Sequence, residues 1–125
     1  MITVMLVMQR KAIVQGLMNR LRNSSDIRLI YQPDYPHAHV AICRYNASVA
    51  LIEAAESGTY DIAYCLTLCK QLRKYTPGCK LLLMCSEKDE LSVKMVIGAK
   101  GENQIDDFVF YDVTIEYLAS KLISI

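Results

Sequence analysis

The residues able to do chemistry in this sequence are few and loosely grouped. Cys65 and Cys69 stand four apart in a stretch of helical period, so one helix face would present two thiols, as a metal site needs. None of the paired CxxC spacings of a zinc module occurs, and free cysteine is among the most buried residue types, so the pair reads as small core residues. His37 and His39 are two apart within a helical segment; they point different ways and are expected at the surface rather than on a metal. Cys85 follows the run LLLM and would end a strand, a place for a thiol nucleophile. No histidine or basic residue is placed to lower its pKa, so an inert buried thiol is the simpler expectation. Gly98-Ala99-Lys100-Gly101 lacks the Gly-Lys-Ser/Thr of a phosphate loop and reads as a helix terminator.

The elements that must position these residues follow from periodicity. Ile2–Val7 is a continuous apolar run, as in a strand covered on both faces. Ile13, Val14, Leu17, Met18 and Leu21 recur at three and four residues, predicting an amphipathic helix that ends at Asn23-Ser24-Ser25-Asp26. Ile27–Tyr31 reads as a second strand. Ala38, Ala41, Ile42 and Tyr45 show helical spacing, although VAIC alone also suits a strand, and Val49–Ile52 reads as a third strand. A helical stripe through Ile62, Cys65, Leu66, Cys69 and Leu72 closes at Thr76-Pro77-Gly78. Leu81–Cys85 is the fourth strand, Ser86-Glu87-Lys88-Asp89 has the S-x-x-D form of a helix start, and the helix runs toward Gly98 and Gly101. Phe108–Tyr111 is the fifth strand, with Asp112 or Thr114 capping a last helix that carries Ile115, Leu118 and Leu122. Five β-α units in succession predict an α/β domain: a doubly wound five-stranded parallel sheet covered by helices on both faces, of flavodoxin-like (βα)5 type, with residues 1–125 as one domain.

In such a sheet, ligands bind beyond the carboxyl ends of the strands. The residues there are Met8 and Gln9, Glu53, Cys85 and Ser86, and Tyr111. With these positions in view, the chain resembles a bacterial response-regulator receiver domain. The resemblance is carried by ITVMLVMQRKAIVQGLMNRL, by CKQLRKYTPGCKLLLMCSEKD, by Gly98-Ala99 and by FVFYD. Gly16-Leu17 is most similar to receivers that precede a helix-turn-helix output domain.

The resemblance implies an acidic pair after the first strand that holds magnesium, because an octahedral cation needs hard oxygen ligands; Met8 and Gln9 stand there instead. It implies a phosphoacceptor Asp at the end of the third strand. Three registers place Arg44, Glu53 or Leu66 at that point, and Glu53 is preferred because its separation from Ile27 and the run ASVALIE then fit without an insertion. Cys85, with Ser86 beside it, takes the place of the switch hydroxyl, and Tyr111 that of the conserved Lys; the switch aromatic is kept as Phe108. A pocket of Met, Gln, Glu, Cys and Tyr offers neither the metal ligands nor the cation that phosphoryl transfer uses. Glu53 would either mimic the charge of a phospho-Asp or, lacking a Lys partner, sit neutral, since desolvation disfavours the charged form of a carboxyl. If buried it needs a hydrogen-bond donor, for which the Tyr111 hydroxyl or Ser86 is best placed. The expectation is a pseudo-receiver: no enzyme, no cofactor and no metal, but a phosphorylation-independent docking module. Its alternatives are a conventional receiver phosphorylated at an atypical site, a thiol enzyme, or a fold remnant whose pocket fills with side chains. By the same resemblance a protein partner or second copy would use the face of the fourth helix, fifth strand and fifth helix, with Lys94, Phe108 and Tyr117.

Composition narrows the classes. An apolar fraction of 53% excludes disorder, and a formal net charge of +1 argues against nucleic-acid or membrane-surface binding by this chain alone. No apolar run is long enough to span a bilayer. In MITVMLVMQRK the basic residues follow the apolar run, the reverse of a signal peptide, and five cysteines, an odd number, suit a reducing compartment. A cytoplasmic location is therefore expected.

Overall fold

A computed structural model describes residues 1–125. The elements run β1 (Ile2–Val7), α1 (Lys11–Leu21), β2 (Ile27–Tyr31), α2 (Ala38–Tyr45), β3 (Val49–Glu53), α3 (Ile62–Tyr75), β4 (Lys80–Cys85), α4 (Glu90–Gly101), β5 (Asp107–Phe110) and α5 (Ile115–Ser124). All strand pairs are parallel, in the order β2-β1-β3-β4-β5. The order reverses beside β1, and β1 and β3 pair from Val4↔Val49 to Val7↔Ile52. The predicted five-stranded α/β sheet is thus observed.

Strand alternation divides the core in two. Met5, Val7, Ala50, Ile52, Leu81, Leu83 and Cys85 point to the face covered by α2, α3 and α4. Val4, Leu6, Met8, Val49, Leu51, Leu82 and Met84 point to the face covered by α1 and α5. Because β1, β3 and β4 are covered on both faces, their sequences are unbroken apolar runs rather than alternating ones. Full burial of a side chain such as Leu72 or Leu83 contributes roughly 1.5–3 kcal/mol. Cys65 and Cys69 belong to the α3 side of this core, as expected of small core residues.

Several boundaries differ from the sequence reading. The third strand extends one residue, so Glu53 is its last residue, and the fifth ends one residue earlier, so Tyr111 follows it. The fourth helix does not open at Ser86: Asp89 is its N-cap, accepting from the Leu91 N–H and the Ser92 hydroxyl. Ser86 instead accepts from the Lys88 N–H and shapes the turn before the helix. Of the two proposed caps of the last helix, Thr114 is the one, accepting from the Tyr117 N–H. VAIC is helical, and α2 ends on Asn46 in the left-handed conformation. His37 is exposed as expected, but His39 is only half-exposed: it lies against the Tyr75 ring, and its Nε2 is enclosed without a partner.

Candidate functional site

Glu53 ends β3 at the carboxyl edge of the sheet and is buried. Its place in the strand alternation directs its side chain to the α1 and α5 face, beneath the loop joining β1 to α1. That loop ends at Arg10, the N-cap of α1, whose side chain makes no capping bond. The backbone N–H groups at the start of a helix lack partners within it and carry partial positive charge. Glu53 lies at this positive end and takes the donors just ahead of the first turn: its Oε1 accepts from the Gln9 N–H at 2.8 Å and from the N–H of the N-cap Arg10 at 3.1 Å. Its Oε2 accepts from Arg10 Nε at 2.8 Å. Both carboxylate oxygens are therefore occupied by donors, one of them a guanidinium.

The Arg10 guanidinium lies 3.8 Å from the centre of the Tyr111 ring, a cation–π contact. Its far nitrogen is 3.9 Å from Glu56 in the loop after β3. The Tyr111 hydroxyl donates to the Ala54 carbonyl rather than to Glu53. Burial, then the charge of Glu53, pushes that hydroxyl up to about 12. On the other side of the sheet, the Glu53 backbone carbonyl accepts from the buried Tyr35 hydroxyl at 2.6 Å and from Cys65 Sγ at 3.6 Å. Tyr35 stacks on Tyr60, ring centres 4.3 Å apart and planes nearly parallel. Glu53 is thus fixed by its backbone from the α2 and α3 side and by its carboxylate from the α1 side.

Above the ion pair opens a cleft of about 340 Å³, lined by Arg10, Glu56, Ser86, Glu87, Lys88, Tyr111 and Asp112. At its rim the Asp112 carboxyl hydrogen-bonds Glu87 and repels its charge, raising the Glu87 carboxyl above its ordinary range.

Of the three registers considered, Arg44 lies exposed on α2 and Leu66 is buried within α3; only Glu53 ends a strand. Ser86 and Tyr111 line the cleft, and Gln9 contributes its backbone N–H while its side chain is exposed. Met8 and Cys85 do not join them. Met8 is fully buried in the α1 and α5 core, and Cys85 alternates to the opposite face, in the α2–α4 core. Burial pushes the Cys85 thiol up to about 11. Phe108 is half-buried on that same face, 5.7 Å from Phe110 between ring centres. The expected donors to Glu53, Tyr111 and Ser86, are corrected to Gln9 and Arg10. The expectation of a pocket without a cation is corrected too: Arg10 supplies one. The signal was in plain sight, as a basic residue in the first strand-to-helix loop beside Gln9. Tyr35, the other residue missed, opens a single 3-10 turn, Tyr35–His37, and stands between two prolines, where no periodicity marks it as buried.

Magnesium, which the resemblance implies, does not fit these residues. Met8 and Gln9 provide no carboxylate, both oxygens of Glu53 are engaged, and a guanidinium stands where a divalent ion would meet Oε2.

No family model matches the sequence, and no curated protein matches it either. Solved structures do match its fold. A LuxR-family DNA-binding response regulator from Staphylococcus aureus aligns at TM-score 0.75 and 15% identity, over 98% of this chain and 97% of that one. A response regulator from Thermotoga maritima aligns at TM-score 0.76 and 18% identity, over 98% and 94%. An orphan response regulator of H. pylori aligns at TM-score 0.78 and 10% identity, over 98% and 94%. At these identities the likeness establishes the architecture: this chain has the receiver fold of bacterial response regulators.

Proposed function

We propose that this domain is a signal-transduction module that acts by docking, without phosphorylation and without catalysis. The observation that carries the reading is the engagement of the Glu53 carboxylate, whose two oxygens accept three N–H donors from Gln9 and Arg10. A phosphoacceptor must present a free oxygen to the incoming phosphorus and hold a metal beside it. Here the oxygens are spoken for, and no three His, Cys, Asp or Glu side chains converge to hold a metal.

The docking face on this reading is α4, β5 and α5. α4 is poorly amphipathic: it buries Ser92, Val96 and Ala99 while exposing Leu91 and Ile97. Lys94 and Tyr117 are exposed, and Phe108 is half-buried. Asp107 on β5 ties the three elements together, accepting from Lys100 of α4 at 3.1 Å and from Lys121 of α5. A protein partner or a second copy of the chain would meet this face, the latter isologously.

Incubation with acetyl phosphate and magnesium, followed by intact-protein mass spectrometry, tests the first half of the proposal. No phosphoryl adduct and no thermal shift with beryllofluoride are expected; a gain of one phosphoryl group mapped to Glu53 would overturn it. Sedimentation at rising concentration tests the second half. Association that Leu91→Glu weakens is expected; a persistent monomer that also captures no partner through this face counts against it.

A further inference from the structure

We infer that Arg10 is a built-in counter-cation, supplying at Glu53 the positive charge that a bound divalent ion would otherwise supply and clamping the site loops in one arrangement. The inference rests on the same pocket as the proposed function and deepens it, but it concerns how the pocket is held rather than whether it is phosphorylated.

Arg10, itself just beyond the end of β1, touches two other strand ends. Its Nε bonds Glu53 at the end of β3, its far nitrogen approaches Glu56 in the following loop, and its plane covers Tyr111 just after β5. Its own backbone N–H, at the start of α1, bonds Glu53 as well. Tyr111 in turn donates to Ala54, closing a ring that runs Arg10–Glu53–Ala54–Tyr111–Arg10. A guanidinium suits this place because its planar fork can bond a carboxylate with one nitrogen while stacking on an aromatic face. An ammonium is a compact point charge and can do the first but not both. The positive charge also explains why a metal has no place here: a divalent ion at Oε2 would meet a cation already within bonding distance of that oxygen. With its side chain 42% exposed, Arg10 remains in contact with the cleft, so the clamp can be reached by a partner's charged groups.

Manganese, a paramagnetic divalent probe, separates this role from a merely structural one when titrated against the isotopically labelled full chain. In the wild type, the Gln9 and Arg10 amide signals should show no local broadening. The variant Arg10→Ala keeps the backbone donors and removes the charge. Removing the guanidinium frees Glu53 Oε2 and the Glu56 carboxylate as oxygen ligands. Manganese should then broaden those signals at least about tenfold more strongly than in the wild type, since a like charge beside the carboxylates is gone. It should also raise the melting temperature of that variant but not of the wild type. Arg10→Lys, which keeps the charge, should stay refractory. If Arg10→Ala is too unstable, Arg10→Gln, similar in length but uncharged, gives the same readout. Wild type and Arg10→Ala binding manganese equally, or neither neutral variant binding it, would overturn the inference. The phosphorylation assay is read separately: an adduct on Glu53 defeats the docking proposal, whereas the manganese result bears on Arg10 alone.

Discussion

Glu53 and Tyr111 stand close together yet do not bond each other, and this decides what their substitutions should do. Tyr111→Phe removes the donor to the Ala54 carbonyl and leaves the three donors to Glu53 in place. A loss of about 0.5–1.5 kcal/mol is expected in urea unfolding, the net worth of one ordinary hydrogen bond. A larger loss, of the size caused by an unsatisfied carboxylate, would mean that Tyr111 supports Glu53 after all. The thiols give a second residue-scale test. Cys43 is exposed, whereas Cys65, Cys69, Cys79 and Cys85 are buried, and burial holds the Cys85 thiol near 11. Iodoacetamide on the native protein should label Cys43 first and leave Cys85 protected until unfolding; rapid native alkylation of Cys85 near neutral pH would reveal an activated thiol. The identity of Glu53 as a strand-end acid was legible from spacing. Its partners were not, because a backbone N–H and an arginine reaching from 43 positions away leave no mark on the periodicity of either segment.

At the scale of elements, helix ends and one close contact fix how the helices sit on the sheet. Thr114 caps α5 through the Tyr117 N–H, and α5 carries both Leu118 in the core and Tyr117 on the proposed docking face. Thr114→Ala should lower stability by about 1 kcal/mol, and it should weaken any association through that face only as far as α5 frays. Gly16 marks the approach of α1 to α5. A Cβ there would lie 2.9 Å from Cδ1 and 3.0 Å from Cγ1 of Ile115, closer than side chains pack. Gly16→Ala gains about 1 kcal/mol of helix propensity, which offsets a small shift of the Ile115 tip, so its net effect in thermal melts should be small. Gly16→Val adds methyl groups that the Ile115 tip cannot clear and should destabilise by roughly 1–3 kcal/mol. Equal stability of the two variants would show that the α1–α5 contact is loose.

For the molecule as a whole, the buried protonated groups set the alkaline limit. Burial raises Cys65, Cys69 and Cys79 from an ordinary 9.0, the last two to about 12, and raises Tyr35 from an ordinary 10.0. The unfolded chain loses these protons first, so above pH 9 the folded state binds more protons than the unfolded one. Their stabilisation is complete below about pH 9 and is lost as pH rises toward 12. Each deeply buried thiol contributes a slope of up to about 1.4 kcal/mol per pH unit in that window. Melting temperature should therefore be insensitive to these groups between pH 7 and 8.5 and fall steeply beyond pH 9. A Cys69→Ala, Cys79→Ala double variant should show a shallower alkaline fall even if its melting temperature at pH 7 is lower; an unchanged slope would refute this assignment. No helix is long and apolar enough to cross a membrane.

The order of the five strands and five helices was present in the sequence, with the type of α2 left open between helix and strand, because a strand covered on both faces must be apolar throughout and a helix lying on a sheet must repeat its apolar residues every three or four positions. The sequence also determined that the strand ends lack the acidic pair and the lysine of the family it resembles, since residue identity alone states this. The tertiary structure decided what stands in their place. Alternation along β1 and β4 turns Met8 and Cys85 into opposite cores, although both stand at strand ends as Glu53 does. Parallel pairing of β1 with β3, and of β5 with β3 through β4, brings Arg10 over Glu53 and Tyr111, three residues that share no local pattern. Local periodicity records which face a residue turns to; it does not record what arrives opposite that face from another strand, and the chemistry of this site is made of such arrivals.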